Sequence, residues 1–131
     1  KNVQDILTKC TKILEDATYI EREEINCLVS DLCLMVPTSS FTFDLCHTSL
    51  RVILDLNNEY NEAKSFVVLR IIEKMHQAAL SQAFSFTEMM NEFSIEEFLC
   101  QFIEQSHGVL AAPVKRLAEA IGIELTPTLP F

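Results

Sequence analysis

The chain has 131 residues, the size of one domain, and is 49% apolar and 22% charged, proportions that exclude a disordered tail and predict a folded core. Ten lysines and arginines against nineteen aspartates and glutamates leave a net charge of −9, a field that repels phosphate backbones and anionic headgroups. With two glycines and no tryptophan, the chain also lacks the glycine-rich loops that cradle nucleotide phosphates.

The acids are unevenly spread: residues 1–36 hold seven acids and four bases, residues 44–74 five and four, and residues 88–104 five and none. Charges interrupt every run that could reach 18 apolar residues, so no transmembrane span is expected. The chain opens on Lys1 without a charged stretch and short apolar core of the secretory kind, and it reads as a piece of a longer protein. Cys10, Cys27, Cys33, Cys46 and Cys100 are odd in number and irregularly spaced. They predict reduced, mostly buried thiols rather than a disulfide framework. No asparagine has Ser or Thr two positions on, so a glycosylation acceptor is missing too. Both features point inside the cell, to cytoplasm or nucleus.

In chain order, Val3, Ile6, Leu7, Cys10, Ile13, Leu14 and Ala17 form one helical stripe and predict an amphipathic first helix. Thr18 and Glu21 have the spacing of a capping box and start a second. That helix carries Ile25, Cys27, Leu28, Val29, Leu32, Cys33, Leu34, Met35 and Val36, apolar nearly all round, so it is expected to lie centrally in the core. Pro37 ends it. After a loop holding Phe41 and Phe43, Leu45, Leu50, Val52, Ile53, Leu54 and Leu56 mark a third helix. Asn57 and Asn58 favour a break.

A fourth helix is expected from about Glu59 to Ser81, with Tyr60, Phe66, Val67, Leu69, Ile71, Ile72 and Met75 apolar. Two further starts share one pattern, an apolar residue, a serine cap, an acid three on and an apolar residue four on. These are Phe84-Ser85-Glu88-Met89 and Phe93-Ser94-Glu97-Phe98, each read as a capping box with a hydrophobic staple. They predict a short fifth helix and a sixth with Ile95, Phe98, Leu99, Phe102 and Ile103 inward, closed near Gly108. Pro113 opens the last helix, with Val114, Leu117 and Ile121 inward and Gly122 closing it. Residues 1–122 thus form a single all-α domain, and 123–131 an extended C-terminal segment.

The six or seven helices group as about three antiparallel hairpins, and the hairpin starts near Val3, Asp44 and Ser85 are 41 and 41 residues apart. In that period and pattern the chain resembles the HEAT and armadillo class of stacked helical hairpins. The resemblance implies a scaffold and carries over no functional residue. A compact helical bundle satisfies the same pattern.

Chemistry-bearing residues are sparse. His47, His76 and His107 stand far apart with no metal-ligand spacing, so neither metal nor cofactor is expected. Cys46 beside His47 is the single sulfur–imidazole adjacency. Neighbouring helical residues diverge by about 100°, so the pair chelates poorly, and Asp44 disfavours a thiolate. Glu23 with Glu24 and Glu96 with Glu97 read as solvated faces, so no catalytic residue is assigned. Glu88, Glu92 and Glu96, each four apart, would form an acidic stripe for a basic partner if residues 86–104 were one helix. A helix starting at Ser94 would turn Glu96 away. Phe41, Phe43, Phe84, Phe86, Phe93, Leu125, Leu129 and Phe131 lie in or beside connections, where they either plug the helix layers or dock another chain.

The expected function is that of a non-catalytic interaction domain of a larger protein. It would bind another protein, or the rest of its own chain, through Phe41, Phe43, Glu88, Glu92 and Glu96, without nucleic acid, membrane or small-molecule substrate. The alternative is a secreted four-helix receptor ligand of the cytokine type. A small helical enzyme would need Cys46, His47 or His76 to converge with a carboxylate.

Overall fold

The computed structural model describes residues 2–57 and 61–125. Among them are seven α-helices and no strand: α1 (Asn2–Ile13), α2 (Tyr19–Met35), α3 (Phe43–Leu56), α4 (Glu62–Gln82), α5 (Phe86–Glu92), α6 (Ile95–Gln105) and α7 (Ala111–Ile121). Single 3₁₀ turns, Leu14–Asp16 and Thr38–Ser40, extend α1 and lead into α3. The helices pack as a compact bundle.

Each helix start is set locally. Thr18 accepts from the Glu21 backbone N–H at 3.2 Å while the Glu21 carboxylate accepts from the Thr18 N–H at 2.8 Å, the capping box anticipated from the sequence. Thr42 and Asn61 cap α3 and α4 in the same way, each accepting from a backbone N–H three residues on. Asn61 moves the start of α4 to Glu62, later than the periodicity suggests; Tyr60 lies outside the described residues. Val36 is extended at the end of α2 because the ring of Pro37 excludes the helical conformation for the residue before it.

The two serine caps do not behave alike. Ser85 accepts from the Glu88 N–H at 3.5 Å and starts α5, without a return bond from the Glu88 side chain. Ser94, expected to cap α6, instead has φ 53° and ψ 47° and makes no side-chain cap. Its N–H donates to Asn91 O at 3.3 Å and its carbonyl accepts from Phe98 N at 3.2 Å, so one residue closes α5 and opens α6. The left-handed conformation that ends a helix is incompatible with the extended one a side-chain cap requires, and the closure wins. The break leaves Glu88 and Glu92 on α5 and Glu96 on α6, and no single Glu88–Glu92–Glu96 stripe exists.

A second correction concerns α2. Val29, Cys33, Val36 and the polar Asn26 are buried, but Ile20 is 71%, Leu28 47% and Met35 76% exposed. The helix therefore covers the core with one side only. Its cross-helix bonds show why: α3 and α4 both lie along that side. Arg22 reaches Asp55 of α3 at 3.3 Å, and Lys64 of α4 pairs with Glu23. Further along, Lys74 Nζ donates to Cys33 O and Leu34 O, both at 2.8 Å. Bonds between residues 23 and 64 and between 34 and 74 make α2 and α4 run parallel, offset by about 41 residues. Gln4 of α1 donates to Thr48 of α3 at 2.9 Å, 44 positions away. These ties fix the lateral register of α2 on α4 and of α1 on α3. Past α4 the order changes, and α7 packs on α4 while α6 packs between α5 and α7.

The core runs through all seven helices, from Leu7 and Val29 through Ile53, Ile72 and Met75 to Met89, Leu99 and Val114. Beyond α7, closed by Gly122 at φ 78°, Ile123 and Leu125 pack partly against it; Leu129 and Phe131 lie outside the described residues.

Candidate functional site

Phe41 and Phe43, two residues apart, meet opposite fates. Phe41 is 0% exposed, held beneath the α2–α3 connection with Lys74 Nζ 5.6 Å from its ring centroid. Gln82 Nε2 fastens that connection by donating to Phe41 O at 2.9 Å and Thr38 O at 3.2 Å. Phe41 therefore plugs the core and offers no side chain to a partner, which removes it from the expected binding set. Phe43, the first residue of α3, is 43% exposed.

One turn along α3, His47 shares the face of Phe43, with ring centroids 5.9 Å apart. Opposite lie the ends of α5. Phe84, before its cap, meets Phe43 edge to face at 5.7 Å, and Phe93, after its last residue, meets His47 at 4.9 Å. His47 Nε2 is 2.9 Å from Glu92 Oε2. Phe43 and Glu92, both in the expected binding set, thus come to one corner through His47, which that set does not include. Glu88 is one turn back on α5 and exposed. Glu96 is exposed on α6, beyond the break. The signal that could have found His47 is its four-residue spacing from Phe43, which places both on one helix face.

A carboxylate on an imidazole nitrogen orients the ring, and in hydrolases such a pair prepares a base. Here the adjacent thiol is turned away. Cys46 is fully buried, and burial, reinforced by nearby Cys33, pushes its pKa up to about 12. Burial also pushes the Cys33 thiol up to about 11, although the Ser49 hydroxyl and Lys74 pull it back. The Ser49 hydroxyl is buried without a partner in hydrogen-bond geometry, even though it lies near enough to Cys33 to oppose that rise. Neither thiol is a thiolate at neutral pH. His76, on α4, packs against Phe86 at 5.5 Å. Among the described residues no group of three or more His, Cys, Asp or Glu side chains is placed to hold a metal ion. No helix among them is long and apolar enough to cross a membrane.

What the corner offers is a surface: three phenyl rings and an oriented imidazole, with Asp44, Glu88 and Glu92 at its edge. None of the five cysteines is in a disulfide, with Cys27 exposed and Cys10, Cys33 and Cys46 buried. Comparison of the chain with protein families, with curated proteins and with solved structures returns no match in any of the three.

Proposed function

We propose that the chain is a non-catalytic protein–protein interaction domain of a larger intracellular scaffold or adaptor, and that it docks another protein on the corner between α3 and α5. The observation that carries this reading is the half-exposed Phe43, edge to face with Phe84 beside a histidine that Glu92 holds. Aromatic rings make efficient interface anchors, because they bury large area at little conformational cost. The acidic edge favours a basic or neutral segment over an acidic one. The inert thiols beside the histidine favour binding over covalent chemistry. The parallel register of α2 and α4 fits the hairpin-scaffold resemblance.

The test is capture of partners from cell extract by the 131-residue chain, followed by affinity measurement with the purified partner. Phe43→Ala is expected to weaken binding at least tenfold, or about 1.4 kcal/mol, and Glu88→Lys to weaken a basic partner further. If a partner binds both variants as tightly as the parent, the corner is not its docking site. Thiol titration in denaturant is expected to find five free thiols; two disulfides would favour a secreted receptor ligand instead.

A further inference from the structure

Ile6 and Ile13 of α1 and Leu28 and Met35 of α2 are four of the nine large apolar side chains exposed among the described residues. We propose that the side of the α1–α2 hairpin turned away from α3 and α4 is a self-association surface, on which a second copy of this chain docks about a two-fold axis. The site is separate from the corner between α3 and α5.

On α1, Gln4 points to Thr48 of α3. At about 100° per residue, Ile6 and Ile13 stand about 160° and 180° round the helix from it, with Ile6 about 40° from the buried Cys10. On α2, Glu23 points to Lys64 of α4 and Arg22 to Asp55 of α3. Leu28 and Met35 stand about 120–140° from both. The half-buried flank between Leu28 and the α3 side, holding Ile25 and Leu32, is left for α1, which packs on α2. The four exposed apolar side chains thus border the α1–α2 seam from its two sides. Helix α3 sets their levels. Arg22 and Asn26 of α2 meet Asp55 and Asn57 at the end of α3, whereas Cys33 lies near Ser49 and Cys46, so α2 and α3 are antiparallel. The five residues from Leu14 to Thr18 join the end of α1 to the start of α2, and Gln4 meets Thr48, so α1 is antiparallel to α2. Ile6 and Ile13 then stand level with the stretch around Leu28, and Lys9 with the stretch from Glu24 to Asp31.

The occupant follows from charges of both signs. Lys9 flanks the Ile6–Ile13 line on the side away from the seam, and Glu24 and Asp31 flank the Leu28–Met35 line likewise. All three are exposed and have no ion pair among the described residues. A two-fold axis along the seam lays α1 of one copy over α2 of the other without changing levels. The Ile6–Ile13 line then covers the Leu28–Met35 line, and each Lys9 faces the stretch from Glu24 to Asp31, so base meets acid twice. A uniformly basic segment would meet Lys9, and a uniformly acidic one Glu24 and Asp31; the second copy suits both helices. Burial of the four apolar side chains supplies the cohesion, and the charges fix the orientation.

Sedimentation equilibrium of the 131-residue chain over a range of concentrations is expected to show monomer and dimer and nothing larger, because a two-fold contact closes on itself. Ile13→Ser with Met35→Ser, positions 55% and 76% exposed, is expected to weaken the dimer about tenfold or more while leaving the helical spectrum unchanged. Lys9→Glu alone, and Glu24→Lys with Asp31→Lys, are each expected to weaken it about tenfold. All three charge reversals together are expected to recover most of the affinity, and Phe43→Ala to leave it unaltered. The proposal is overturned if the chain is monomeric at every concentration, if it grows into larger assemblies, or if the serine variant dimerises as the parent does. It is equally overturned if the triple charge variant associates no more tightly than Lys9→Glu, or if Phe43→Ala dissociates the dimer.

Discussion

In residues 2–82 side chains reach from one helix to the next: Gln4 to Thr48, Asn26 to Asn57, Lys64 to Glu23, and Lys74 and Gln82 to the backbone around the α2–α3 connection. In residues 85–125 the side-chain hydrogen bonds at Ser85 and Ser106 close on neighbouring backbone. There the helices are short and turn through left-handed residues at Ser94, His107 and Gly108. His47 and Glu92 bridge the two regions. Directional bonds between elements specify one lateral register, whereas apolar packing supplies cohesion with less positional preference. The polar ties named here thus add a fixed register to the packing of the first region.

Phe41→Ala should cost the most, about 3–5 kcal/mol, as expected for a buried phenyl ring. Denaturant unfolding is expected to remain a single transition, because α4 packs against α2, α3 and α7. Two separated transitions would show that the regions unfold independently and would break the comparison.

Alkaline pH attacks the first region selectively. In the unfolded chain Cys33 and Cys46 ionise near the ordinary thiol value of 9.0, while in the fold burial holds them neutral up to about 11 and about 12. The folded state therefore binds more protons between those values, and stability falls as pH rises through that window. For the two thiols together the loss is about 2 kcal/mol between pH 9 and pH 10. Unfolding curves across that range should flatten in Cys33→Ala and Cys46→Ala.

Asn26 and Asn57 sharpen the comparison further. Buried at 2% and 5% exposure, their amides exchange hydrogen bonds of 3.2 Å in both directions, and Asn57 Nδ2 also donates to Ile53 O at 2.8 Å. Asn26→Ala leaves one buried amide partly unpaired and should cost about 1–3 kcal/mol. Pairing Asn26→Leu with Asn57→Leu should cost less than the sum of the two single changes, measured as a double-mutant cycle.

The smallest expected effect lies in the second region. Ser94→Gly relieves a left-handed serine and should raise stability by about 0.5–1 kcal/mol in thermal unfolding. A loss of stability would restore the side-chain cap that the sequence suggests.

Helix number, the Thr18 box, the closures at Pro37 and Gly122 and most core positions of α6 and α7 were legible because each depends on residues within a turn or two. The inward set Ile95, Leu99, Phe102, Val114, Leu117 and Ile121 is buried as the periodicity predicts. What escaped depends on partners remote in sequence. Asn57 reads as a breaker and serves also as half of a buried amide pair; the apolar girth of α2 reads as central burial although one side remains bare. Phe41 and Phe43 are indistinguishable by composition, and the tie from Gln82 at 41 positions' distance closes the connection over the first of them. At the corner Phe43 and Glu92 were legible as candidates, but His47, which brings them together, was not.

Apart from the corner where His47 meets Glu92, the two regions share α4, which lines the α2–α3 connection at one end and carries α7 on its flank. Excising residues 62–82 would strip both regions of the wall they share. The smallest autonomous unit of this protein must keep that helix.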